Sequence, residues 1–196
     1  MTTPTTRRLL RRAAALAGLA LAAAALVVSL SPAAAAPNSG KRGSPPSQTV
    51  DVQLLALNDF HGNLGPPGGA IAGTPAGGAE YLATHIRRLE ATNPNTMVVS
   101  AGDLIGASPL LSALFHDEPT IEAMNRIGLD LNAVGNHEFD EGAAELRRMQ
   151  EGGCHPVDGC QDGDGFGGAD FQFLSANVVR TETSETLLPP YAIRNF

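Results

Sequence analysis

The sequence predicts an α/β fold, on three observations. Short apolar runs at Val50–Leu57, Thr96–Ser100, Leu131–Val134 and Phe171–Val179 alternate with stretches of helical periodicity, the pattern of a parallel sheet with helical crossovers. Asn93-Pro94, Gly128 and Gly152 stop the helical stretches where a chain turning back into the sheet requires it. The apolar runs end abruptly in polar residues, at the carboxyl edge where open α/β sheets present their ligands.

At 196 residues the chain has room for one domain of ordinary size. Residues 1–36 read as a signal peptide: Arg7, Arg8, Arg11 and Arg12 precede an apolar run over Ala13–Leu30, and Ala34–Ala36 supply a small-residue cleavage site. An uncleaved anchor is the alternative, and the arginine pairs fit both a Sec and a twin-arginine route. The chain is therefore expected to be secreted or held in the cell envelope, touching a membrane only through that leader. Residues 37–48, rich in Pro, Gly and Ser, read as a flexible linker, which leaves 49–196 as the folded portion. Removing the leader leaves nine of 13 Lys and Arg against all 20 Asp and Glu, moving the net charge from −7 to −11. With its basic pairs, Arg87-Arg88 and Arg147-Arg148, on predicted helices, the chain lacks the clustered positive charge that nucleic acid binding needs.

The first strand alternates and then turns fully apolar, as expected of a strand covered on both faces. A glycine-rich loop over 65–78 follows, without an assigned role. Ala79, Leu82, Ala83, Ile86 and Leu89 then recur at helical spacing, with His85 on the helix surface. After Thr96–Ser100 comes a short helical turn to Phe115. A helix with Pro119 in its first turn and Gly128 as its C-cap follows, burying Ile121, Met124 and Ile127. His116, in the connection, reads as exposed. Gly142–Glu151 reads as a helix burying Ala143, Leu146 and Met149, and Arg147-Arg148 as part of its solvated face. Cys154 and Cys160, the whole cysteine complement, read as a small disulfide loop in an exported chain. A metal site at these cysteines with His155 ranks low, and Asp162-Gly163-Asp164-Gly165 departs from a calcium loop at Phe166. A last strand is expected in Tyr191–Phe196.

The strand ends carry the chemistry. Asp59 and His61 follow the first, Asp103 the second, and Gly135 with Asn136 and His137 the third. Residues two apart in an extended segment point the same way, so Asp59 and His61 can share one ion. Carboxylate, amide and imidazole together suit zinc, manganese, magnesium or iron. Two such divalent ions sharing a carboxylate activate water and clamp a phosphoryl group, the chemistry of phosphate ester hydrolysis.

Asn58–Leu64 (NDFHGNL), Gly77–Ile86 (GGAEYLATHI), the segment from Ser100-Ala101-Gly102-Asp103 to Gly135–Asp140 (GNHEFD), and Phe173–Asn177 (FLSAN) resemble the secreted 5'-nucleotidase and UDP-sugar hydrolase family of calcineurin-type metallophosphoesterases. The resemblance implies a β-sandwich flanked by helices, present here as its amino-terminal portion. It implies two metal ions, with Asp59, His61, Asp103 and Asn136 as ligands and Asp103 bridging. His137 and Asp140 would be the catalytic pair, leaving Glu138 as an acid favoured by a helix amino terminus. The implied substrate is a nucleotide or nucleotide sugar. A 2',3'-cyclic-nucleotide phosphodiesterase of the same family and a noncatalytic secreted module are the alternatives. The family's later histidine ligands and its nucleotide-gripping domain have no counterpart after Asp140, so the 196 residues alone are expected to be inactive.

Overall fold

A computed structural model describes residues 49–66, 70–161, 163 and 165–196. The predicted leader (1–36) and linker (37–48), with Asp162 and Asp164, lie outside the described residues. The described elements belong to one unit, Ser47–Phe196. In order they are β1 (Gln53–Leu57), a hairpin of β2 (Ala70–Ile71) and β3 (Thr74–Pro75), α1 (Ala79–Glu90), β4 (Thr96–Ser100), α2 (Leu110–Ala113), α3 (Glu118–Ile127), β5 (Leu131–Ala133), a 3-10 turn (His137–Phe139), α4 (Ala143–Glu151) and β6 (Gln172–Leu174).

The sheet order is β1-β4-β5-β6, all parallel. Each strand is added beside the one before it, and the order never reverses. Right-handed crossovers joining strands laid down in this way bring their helices to a single face. That face holds the core: Val98 and Phe173 from the sheet pack with Ile86 of α1, Ile121 and Met124 of α3, and Leu146 and Met149 of α4. Pairing of Leu55 with Val98, Leu57 with Ser100, Ser100 with Asn132 and Asn132 with Phe173 lines those side chains up on this face.

The opposite face carries Leu54, Ala56, Met97, Val99, Leu131, Ala133 and Leu174. Leu54 is 61% exposed, Ala56 and Ala133 are exposed, and the other four are only half-buried. The expected covering of β1 on both faces is therefore corrected. Its apolar run is real, but strand order sends every helix to the other side.

Smaller corrections have local causes. Val50 and Val52 precede β1 and are exposed, the strand read at Phe171–Val179 is three residues long, and Tyr191–Phe196 forms no strand. Ala143 is exposed at the start of α4, whereas Arg148 is buried between Glu145 and Glu118. The basic pair on this helix is thus split, with one arginine turned inward to meet carboxylates that only the tertiary fold brings to it. Gly128 caps α3 at φ 92°, with its N–H reaching Met124 and Asn125 carbonyls.

Candidate active site

Three strand-end loops meet at the carboxyl edge of the sheet and are joined backbone to backbone. After β1, the N–H groups of Asp59, His61 and Gly62 donate to the carbonyls of Gly102, Asp103 and Leu104 after β4, at 3.1, 3.0 and 3.1 Å. The loop after β4 lies against the loop after β5 at Gly102 and Gly135. A Cβ on Gly102 would fall 2.5 Å from the Gly135 nitrogen, and one on Gly135 would fall 2.2 Å from Asp103 Oδ1. Only glycine permits that approach.

Asp59, His61 and Asp103 all adopt left-handed backbone, at φ 52°, 46° and 51°. Such conformations cost about 1–3 kcal/mol for non-glycine residues and concentrate where surrounding structure imposes a function. The three side chains offer donor atoms within 4.8 Å of one another, with His61 Nε2 3.9 Å from Asp59 Oδ1. His61 Nδ1 donates to the Gly106 carbonyl at 2.9 Å, which leaves the lone pair of Nε2 facing Asp59. These residues fit one divalent cation on donor chemistry and orientation. Asn136 is exposed beside them at the end of β5.

His137 stands edge-on to His61, with ring centroids 4.9 Å apart at 82°. Its Nδ1 donates to Asp140 Oδ2 at 2.8 Å, and its backbone N–H donates to Asp103 Oδ1 at 3.0 Å. The hydrogen bond to the Asp140 carboxylate, against a smaller opposing effect of desolvation, holds the His137 pKa above its ordinary 6.5. The arrangement offers a cation site and, next to it, an imidazole whose Nε2 has no hydrogen-bond partner among the described residues.

Two carboxylates that sequence reasoning passed over hold these loops. Glu138 does lie in the first turn of a helix, the 3-10 turn His137–Phe139, but as a buried acceptor for other loops. It is 2% exposed and accepts from the N–H groups of Asp103, Leu104 and Gly135 at 3.0, 2.8 and 2.6 Å, and from the Asn132 side chain at 3.3 Å. It therefore joins the second and third strand ends. Asp117 accepts from the Gly106 N–H at 3.0 Å and from Ser112 Oγ at 2.6 Å, holding the residue whose carbonyl, in the following peptide, orients His61. The signal for Glu138 was its place inside the GNHEFD run; Asp117 had none.

The expectation for His116 is corrected too. Its side chain is 19% exposed and lies between Glu141 and Asp158, with its ring stacked on that of His155. His85 is exposed on α1. Cys154 and Cys160 are joined as a disulfide, Cα–Cα 4.5 Å, closing the loop that carries His155 and Asp158. A pocket of about 470 Å³ lies away from these residues, between α4 and the carboxyl-terminal segment, and is lined by Arg147, Phe171, Leu188 and Arg194 among others.

No family model matches the sequence. The chain is 49% identical over 170 residues to an uncharacterised protein of Acinetobacter calcoaceticus, covering 78% of this chain and 83% of that one. It is 39% identical over 162 residues to the endonuclease YhcR of Bacillus subtilis, covering 79% of this chain and 13% of the other. Among solved structures, Haemophilus influenzae NAD nucleotidase superposes with a TM-score of 0.59 at 26% identity, covering 75% of this chain and 24% of that one. A 5'-nucleotidase precursor of Thermus thermophilus superposes with a TM-score of 0.54 at 28% identity, covering 72% and 25%. The chain thus spans most of the Acinetobacter protein and about a quarter of the two nucleotidases.

Proposed function

Because the chain belongs to the 5'-nucleotidase family of calcineurin-type metallophosphoesterases, spanning its amino-terminal part, we propose that it supplies the first metal site and the catalytic pair of an exported hydrolase of nucleotide phosphate esters. One observation carries the reading: donor atoms of Asp59, His61 and Asp103 converge within 4.8 Å beside the His137–Asp140 pair. Asp59, His61 and Asp103 would hold one divalent ion, with Asp103 shared toward a second that Asn136 would join. Zinc, manganese, magnesium and iron all suit these donors. Ions bound there would polarise the phosphoryl group and acidify a water for attack.

The chain's own residues do the rest. Asp140 fixes the His137 ring through Nδ1, so that Nε2 meets charge developing on the phosphate or the leaving oxygen. Gly106 keeps the His61 ring in its ligating orientation, and Glu138 holds the Asp103 peptide against the Gly135 turn. Nucleotides are the substrate class the relatives' names support, and nucleotide sugars come in only through the motif resemblance. The likeness to a protein named as an endonuclease favours a second reading, hydrolysis of phosphodiesters, including cyclic nucleotides, at the same site.

The test is hydrolysis by the natural gene product of nucleoside monophosphates, nucleotide sugars and cyclic nucleotides in parallel, read by separating the products, since only the monophosphates release free phosphate in one step. Asp103→Asn is expected to remove activity while circular dichroism stays unchanged, and near-normal turnover in saturating manganese would sink the shared-ligand role. His137→Ala is expected to lower kcat by about a hundredfold to a thousandfold with metal content preserved. Loss of metal in that variant would instead make His137 a ligand.

A further inference from the structure

A second group of metal-ligating side chains lies outside the site just described. His116, between α2 and α3, Glu141, directly after Asp140, Glu145, in the first turn of α4, and His155, inside the disulfide loop, offer donor atoms that all lie within 4.8 Å of one another. They come from three segments up to 39 positions apart. Helical periodicity therefore does not account for their meeting.

Three features distinguish this group from an ordinary surface ion pair. It is shielded: the side chains of Glu145, His155 and His116 are 11%, 14% and 19% exposed, and only Glu141, at 45%, faces water. Its rings are oriented. Asp158 Oδ2 lies 3.0 Å from His116 Nε2 and can take its N–H, leaving the other nitrogen of that ring with its lone pair, while His155 Nδ1 accepts the Asp158 backbone N–H at 3.1 Å. On His116 that other nitrogen, Nδ1, is the one 2.8 Å from Glu141. A carboxylate behind the His116 imidazole is the outer support that metal-binding histidines use. Finally, a cavity of about 20 Å³ is lined by His116, Glu141 and Glu145, together with His137 and Asp140 but not His155. That volume holds one water or one ion.

We propose that His116, Glu141, Glu145 and His155 form a binding site for a single zinc-class dication, separate from the site at Asp59, His61 and Asp103. Two imidazoles and two carboxylates are a donor set suited to zinc and its first-row neighbours. Arg148 grips both oxygens of Glu145, at 2.6 to 3.0 Å, and a carboxylate so held still has lone pairs to offer an ion. The imidazole rings are stacked, 3.8 Å apart at 11°, so their in-plane lone pairs run side by side. Ligation turns one ring out of the stack. The ion would join the disulfide loop to the segment Asp140-Glu141, and so would brace the carboxylate that orients His137. Its role is structural, since none of its donors belongs to the proposed catalytic set.

The competing occupant is a proton, with His116 as an imidazolium between Glu141 and Asp158. Zinc titration separates the two. The 196-residue chain, stripped with EDTA, is titrated with Zn²⁺ at neutral pH by calorimetry and equilibrium dialysis, with and without His61→Ala and Asp103→Asn, which remove donors of the first site. The chain carrying both is expected to retain one Zn²⁺ and to gain thermal stability on binding it. Adding His155→Ala or, at the exposed position, Glu141→Gln is expected to weaken that binding by about a hundredfold or more, with circular dichroism unchanged. Introduced singly into the otherwise unmodified chain, each is expected to remove one Zn²⁺ from the total, a readout that does not depend on how the combined variants fold. A total unaltered by His155→Ala and Glu141→Gln overturns the proposal.

Discussion

Glu138 shows how much one side chain does at the residue scale. Its carboxylate is the common acceptor for three backbone N–H groups drawn from two strand ends, and no water competes at 2% exposure. Glu138→Gln keeps the shape but puts an amide donor among donors. The expected cost is about 2–3 kcal/mol of unfolding free energy, read from urea denaturation. A loss under about 0.5 kcal/mol would show that the loops hold without it. His116 makes a residue-scale prediction about pH. Burial works against its charged form, but the hydrogen bonds to Glu141 and Asp158 and the nearby negative charge outweigh it, so its pKa lies above 6.5. A raised imidazole pKa adds stability that is complete below the unfolded value and is lost as pH rises through the folded one. The metal-free chain should therefore lose stability as pH climbs from 6.5. His137 contributes with the same sign, so the diagnostic is the difference between the parent and Glu141→Gln. Parallel stability profiles for the two would disprove the coupling.

At the scale of elements, α3 and α4 are tied by a buried ion-pair network. Arg148 of α4 meets Glu118 at the start of α3 and Glu145 in its own helix, and donates to the Gly153 carbonyl at 2.8 Å. Arg148 and Glu118 are 8% and 3% exposed. Removing the guanidinium would strand two shielded carboxylates, so Arg148→Ala is expected to cost about 3–5 kcal/mol. Arg148→Met combined with Glu118→Gln is expected to recover part of the loss, because the uncompensated charge goes with the pair. Denaturant midpoints of the three proteins check this, and an Arg148→Ala chain as stable as the parent would assign the helix contact to its apolar residues instead. The three strand-end loops are tied in a different way, by backbone bonds running from Asp59–Gly62 to Gly102–Leu104 and by the glycine contact at Gly135.

At the scale of the whole molecule, the unreversed strand order decides what the surface looks like. All the described helices serve one face, and Leu54, Ala56 and Ala133 stand open on the other. Contiguous exposed apolar surface of this kind favours association. The chain purified by itself is expected to bind a hydrophobic dye and to self-associate in light scattering, and Leu54→Lys with Ala56→Lys is expected to reduce both. A monodisperse monomer that binds no dye would show that the face is covered in solution.

The sequence by itself determined the main helices and strands and put the candidate site residues at the strand ends, but not the β2–β3 hairpin or the absence of a strand at Tyr191–Phe196. Apolar runs, helical spacing and the stops at Pro94, Gly128 and Gly152 are local signals, because propensity and burial act over a few neighbouring residues. Asp59, His61, Asp103, Asn136, His137 and Asp140 were legible for the same reason: each lies in or beside a short polar run closing an apolar one. Tertiary structure alone decided the rest. Glu138 reads as a surface acid until its three N–H partners arrive from Asp103, Leu104 and Gly135. Arg148 reads as solvated until Glu118 is brought across from α3. His116 and His155, 39 positions apart, stack only because the disulfide loop folds back onto the connection between α2 and α3. The covering of β1 followed the same rule, since a run of leucines fixes that a strand is apolar, whereas the handedness of its crossovers fixes which side the helices take.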